Sequence, residues 1–157
     1  MKWLAIASIA AIAVLVAWSS GEKWWWDRQV RELCAKDGGI KVYETVNLPA
    51  ENFDQWGMVK SYRPTQGANA LGPEYAFKED SYTYRKGNPQ MSRTHYQIFR
   101  RSDGKLLGET VLYGRGGGDV PIPLPMHPTS FHCPDPNEAG DVTLLKKIFV
   151  MSSRGDK

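Results

Sequence analysis

Gln90–Gly114 reads QMSRTHYQIFRRSDGKLLGETVLYG, two β-prone runs on either side of Asp103-Gly104. An Asp-Gly pair between such runs is a strong local hairpin signal, because both residues tolerate positive φ. Tyr96 and Ile98 fall on one face of the first run, and Val111 and Tyr113 fall together in the second. A central hairpin flanked by helical segments sets the class: an α+β domain with an antiparallel sheet of about five strands.

Upstream, Glu74–Lys78 and Ser81–Arg85 are short aromatic β-prone runs, and Ile40–Leu48 (IKVYETVNL) alternates as a strand with Glu44 as its exception. Met58–Arg63 is a further strand candidate. Pro49 suits the first position of a short helix to Trp56, which would bury Phe53 and Trp56. Pro64–Pro73 is a loop by composition. Downstream, Arg115–Pro128 (RGGGDVPIPLPMHP) lacks the donors of a central strand and should cross the surface or cover an edge. Asp141 can cap a C-terminal helix with Val142, Leu145 and Ile148 or Phe149 inward. The β-prone VTLL and IFVM leave a strand there as the alternative.

The N-terminus carries the targeting information. Lys2 precedes an apolar run from Trp3 to Trp18, WLAIASIAAIAVLVAW, and Ser19-Ser20-Gly21 extend it to 19 residues. At roughly 1.5 Å each these nearly cross a hydrocarbon core of about 30 Å. Two readings stand for residues 1–21: a signal peptide cut after Ser19 or Gly21, or a retained anchor. Trp18, Trp24, Trp25 and Trp26, beside Lys23 and Arg28, have the makeup of a membrane-interface belt; packing inside the domain is the other use for such rings. Residues 22–157 form the single domain. Its first helix, 22–36, sets Trp26, Val30, Leu33 and Cys34 on one face. Ser19 and Glu22 could form a capping box, Asp27 and Arg31 an i,i+4 pair, and Gly38-Gly39 a stop.

Cys34 and Cys133 lie about a hundred residues apart, outside any C-x-x-C pattern. An even count in an exported chain predicts one disulfide. That pairing places the domain in the periplasm, single-pass on the inner membrane, or soluble there if the signal is cut. Lys23, Arg28 and Arg31 pull the other way, since basic residues beyond a span favour the cytoplasm.

The 20 basic and 17 acidic residues give a formal charge of +3. The pairs Arg85-Lys86, Arg100-Arg101 and Lys146-Lys147 are separated by acids, which is not the basic stripe of a nucleic-acid binder. His127-x4-His132-Cys133 offers three metal-ligand types, at a spacing that matches no closed zinc site. Gly116–Asp119 is followed by prolines, so no helix N-terminus completes a phosphate loop. Val120–Pro125 could form a polyproline II segment and dock in an aromatic groove. His95 lies mid-strand, and no G-x-S-x-G elbow occurs. No catalytic, cofactor-binding or metal residue is assigned. The first functional reading is a non-enzymatic, membrane-anchored envelope accessory domain that binds another envelope protein. The second is a small periplasmic ligand- or metal-binding domain or enzyme using His127, His132 or His95.

Three segments, Cys34–Val46 (CAKDGGIKVYETV), Asp103–Glu109 (DGKLLGE) and Ser130–Pro134 (SFHCP), resemble segments of a family of small exported or membrane-anchored proteobacterial proteins. That group has no assigned activity. The resemblance implies export and a shared domain, and it brings no catalytic residue with it.

Overall fold

The computed structural model describes residues 2–119 and 128–152. Helix α1 spans Lys2–Asp37 without a break, so it runs straight through the boundary at residue 21. Neither proline nor a cap interrupts it: Ser19, Ser20 and Gly21 continue the helix rather than starting a second one. Its first half is apolar and exposed, and it is long and apolar enough to cross a membrane or to act as a signal sequence. Gly38 and Gly39 end it, as expected.

The rest of the domain is built on a five-stranded antiparallel sheet. Its strands are β1 (Gly39–Val42), β3 (Tyr75–Arg85), β4 (Gln90–Arg100), β5 (Leu106–Gly116) and β6 (Ser130–Cys133). The order is β1-β5-β4-β3, and β6 extends the sheet beside the C-terminal part of β5. A separate parallel pair joins β2 (Val46–Leu48) to β7 (Phe149–Met151). Between β6 and β7 lie the single turn α2 (Pro136–Ala139) and the helix α3 (Asp141–Ile148). Helix and strand both form in the C-terminal segment, in that order.

The β4–β5 hairpin is the expected one, with a different turn. Arg101–Asp103 wind as a turn and only Gly104 takes positive φ, at 70°. Its N–H donates to the Arg100 carbonyl at 2.9 Å, so Asp103 stays right-handed. The runs at 74–85 merge into one strand, β3, because all of it pairs with β4. Ile40–Leu48 does the opposite and splits. Tyr43 and Glu44 both donate their N–H to the Leu107 carbonyl, where the chain leaves β5 for β7. Glu44, the exception in the alternation, sits at this bend and pairs with Arg100 and Lys105.

Residues 49–73 are mostly irregular. The helix expected after Pro49 is one 3-10 turn, Ala50–Asn52. Phe53 is buried, but Trp56 is 70% exposed. Met58–Arg63 is not a strand: only Val59 bridges, to Phe53. A second 3-10 segment, Pro64–Asn69, lies in the expected loop.

Each face of the sheet carries its own apolar cluster. On one face Phe77, Ile98 and Leu107 pack with Phe53, Val59 and Leu71 and with Leu144, Leu145, Ile148 and Phe149. Val142 is exposed, and Leu144 takes the inward place expected for it. The buried Thr110 hydroxyl is satisfied by donating to the Ala139 carbonyl at 2.6 Å. On the other face Met91, Val111 and Tyr113 pack against Val30 of α1, ringed by Trp26, Leu33, Cys34, Phe131 and Cys133. The predicted disulfide Cys34–Cys133 closes this second cluster, tying α1 to β6.

Gly108 in β5 lies close against α3. A Cβ there would lie 2.8 Å from Ile148 Cδ1 and 3.0 Å from the Lys41 carbonyl oxygen. Gly108→Ala should therefore cost about 1–3 kcal/mol in urea unfolding, as overpacking does. Ile148→Val removes Cδ1, so the double variant should lose less than the two single losses combined. Simple additivity would remove the steric explanation.

Candidate functional site

The second half of α1 is bound to one end of the sheet by a ladder of contacts. Ser19 Oγ donates to the Gly118 carbonyl at 3.0 Å, and Lys23 Nζ reaches Asp119 at 2.8 Å. Thr129 adds its N–H and hydroxyl to the same carboxylate. The Lys23 and Thr129 hydrogen bonds hold the Asp119 carboxyl well below the ordinary carboxylate range. Asp27 accepts from Arg115 Nε at 2.5 Å, and Arg115 also donates to the Gly117 and Thr129 carbonyls. Val30 is fully buried. At the helix end, the Tyr113 hydroxyl donates to Asp37 at 2.7 Å, and Arg93 approaches the same carboxylate. Asp27 thus pairs across to β5 and not with Arg31, whose guanidinium lies over the Phe131 ring.

This end of the sheet includes the β3–β4 tip. Arg85 lies 4.9 Å from the Trp26 ring centroid and 3.9 Å from a Glu22 oxygen. Between this tip and the helix runs a groove of about 500 Å³, walled by Ala17, Trp18, Gly21 and Trp25. Trp18, Trp24 and Trp25 are exposed, while Trp26 is half-buried against the second cluster. The four tryptophans therefore divide between the helix surface and the packed interface.

The two described histidines, His95 and His132, do not form a common site. His95 Nε2 lies 2.7 Å from Glu109 Oε2, on the α1 face of the sheet, and the Tyr43 hydroxyl donates to Glu109 at 2.7 Å. Burial opposes the charge on Glu109, but its bonds with Tyr43 and His95 prevail and keep its carboxyl below the ordinary range. His132 pairs opposite Gly114, while His95 pairs opposite Val111. Three residues apart on one strand, Gly114 and Val111 face opposite sides, so His132 and His95 do too. Cys133 is committed to the disulfide. His127 and the segment Val120–Pro125 lie outside the described residues. Among the described residues no group of three or more His, Cys, Asp or Glu could hold a metal ion.

A separate cavity of about 340 Å³ opens beside the β2–β7 pair, lined by Leu48, Val59 and Phe149 and rimmed by Glu51, Lys60 and Glu74. Its polar groups lie at the rim, where solvent screens them.

Sequence reading missed Arg85, Arg115 and Asp119 as members of one assembly. Arg115 left a trace: it follows Val111 and Tyr113 on the inward alternation of β5, where an arginine needs a partner. Asp119 left none, because its partner Lys23 is 96 residues away. Comparison with protein-family models, curated proteins and solved structures finds no match to the chain.

Proposed function

We propose that the chain is a single-pass inner-membrane protein whose periplasmic domain works by binding another envelope protein and not by catalysis. The observation that carries this reading is the continuity of α1. One rigid rod presents an exposed apolar half and then enters the core of a disulfide-closed domain. Cleavage after Ser19 or Gly21 would remove the Ser19–Gly118 bond and, with Ala17 and Trp18, one end of the groove wall, which favours a retained anchor. The disulfide favours an oxidising compartment.

The uncovered part of the sheet supports the binding role. Tyr82 is 59% exposed and Tyr84 46%, their rings in an edge contact at 4.9 Å, with Tyr84 stacked on Tyr113. Rigid tyrosines with little side-chain entropy to lose are the usual anchors of protein interfaces. β3 is also an edge strand, and the charges of Lys78, Glu79 and Asp80 guard it against indiscriminate pairing.

Intact mass after alkylation without reduction tests the placement. Full-length protein in the membrane fraction with no alkyl group added is expected. A shortened, unalkylated soluble species would replace the anchor with a cleaved signal, and two alkyl groups would overturn export. A photo-crosslinking residue at Tyr82 should then give a discrete protein adduct in membranes, absent when the probe stands at Lys147. Absence of any adduct at Tyr82 would overturn the interaction role.

A further inference from the structure

The groove between α1 and the β3–β4 tip has the chemistry of a lipid site. We infer that it holds one anionic phospholipid of the host membrane, its phosphate on Arg85 beside Trp25 and an acyl chain along Ala17, Trp18 and Gly21. This rests on the retained anchor proposed above.

Depth is the first argument. Trp3–Glu22 is 20 residues, about 30 Å of helix, which matches the hydrocarbon core. Glu22 therefore stands at its boundary, and Trp24–Trp26 fall among the headgroups, where tryptophan concentrates. The groove crosses that boundary: Ala17, Trp18 and Gly21 line it on the acyl side, and Trp25, Trp26 and Arg85 line it on the headgroup side. It is continuous with the exposed apolar surface of the span, so the lipid that meets this surface also meets the groove.

Charge is the second argument. Among the described residues Arg85 has no acceptor within hydrogen-bond distance: Glu22 is 3.9 Å away, and the Trp26 face covers one side of the guanidinium. Its remaining donors can take a phosphodiester in a bidentate fork. Lys86 is exposed at the same tip. Lys23, next to Glu22 in sequence, is already held by Asp119. Glu22 opposes the phosphate, and it sets a second variant. Gly21 leaves the helix surface open, since a Cβ there would meet nothing within 4 Å.

The test uses full-length protein reconstituted into phosphatidylcholine vesicles. These contain either acyl-brominated phosphatidylglycerol or acyl-brominated phosphatidylcholine at equal mole fraction, and tryptophan quenching is the readout. Phosphatidylglycerol should be favoured in the groove roughly fivefold, the size expected of one basic side chain at an anionic surface. Arg85→Gln should abolish the preference, Glu22→Gln should strengthen it, and Lys146→Gln should leave it unchanged. Equal quenching by both lipids, or a preference that survives Arg85→Gln, would overturn the site while leaving the anchor intact. Protein that fails to float with the vesicles would overturn the anchor, and the site with it.

Discussion

Cys34→Ser/Cys133→Ser should unfold in urea with about 4–5 kcal/mol less stability than the wild-type chain, the entropy of freeing a loop of roughly a hundred residues. The bridged residues are 99 apart in sequence, and all five strands of the sheet lie between them. Domains of this size have about 5–15 kcal/mol in total, so the double variant should lie near its threshold. The loss should also be local. The bridge holds the last turn of α1 and the short strand β6, which pairs with β5 on one side. Amides of Phe131, His132 and Cys133 should therefore lose hydrogen-exchange protection before those of β4 and β5, which lie inside the sheet. The urea slope should rise as well, because the unbridged denatured chain expands further. A loss under about 1 kcal/mol would mean that Val30 and the ring-and-cation contacts seat α1 without the bridge.

Local chemistry explains which features could be read in advance. The β4–β5 hairpin, the stop at Gly38-Gly39, the buried stripe at Trp26, Val30, Leu33 and Cys34, and the disulfide all rest on neighbours in sequence or on counting. What could not be read rests on contacts between distant segments. Residues 22–36 look like a separate amphipathic helix because Ser19, Ser20 and Gly21 are poor formers in isolation. In the fold Ser19 finds the Gly118 carbonyl and the helix runs on. Trp56 looks like core because aromatics usually are, yet only the turn before it packs inward, through Phe53. Asp27 has an ideal partner four residues on, and it is taken instead by Arg115, 88 residues away. An exposed i,i+4 pair contributes only about 0.3–0.5 kcal/mol, so a buried arginine in need of a charge wins that competition easily.

That buried pair gives the second large effect. Arg115 is 3% exposed and the Asp27 side chain 20%. Removing either charge strands the other beside the second apolar cluster. Asp27→Asn should cost about 3–5 kcal/mol, because an amide cannot neutralise a guanidinium from which water is excluded. Arg115→Met should cost at least as much: it strands Asp27, deprives the Gly117 carbonyl of its donor and leaves the Thr129 carbonyl with the Gly117 N–H. Replacing both charges, as Asp27→Leu/Arg115→Met, should recover the part of the loss that comes from a stranded charge, since apolar side chains suit the surroundings of Val30, Trp26 and Met91, while the Gly117 carbonyl stays without its donor. The coupling between the two sites should exceed about 2 kcal/mol in a double-mutant cycle. Salt separates this pair from its neighbours. Raising ionic strength to about 1 M should weaken the exposed Arg28–Glu32 pair and leave the Asp27–Arg115 coupling nearly unchanged. If the coupling is small or falls with salt, Arg115 is solvated and α1 is held on the sheet by Val30, the disulfide and the remaining contacts of Ser19, Lys23 and Asp37. If it is large, the charge pair fixes the rotation of α1 on the sheet. The same rotation then decides which side of α1 carries Trp18, Gly21 and Trp25 toward Arg85.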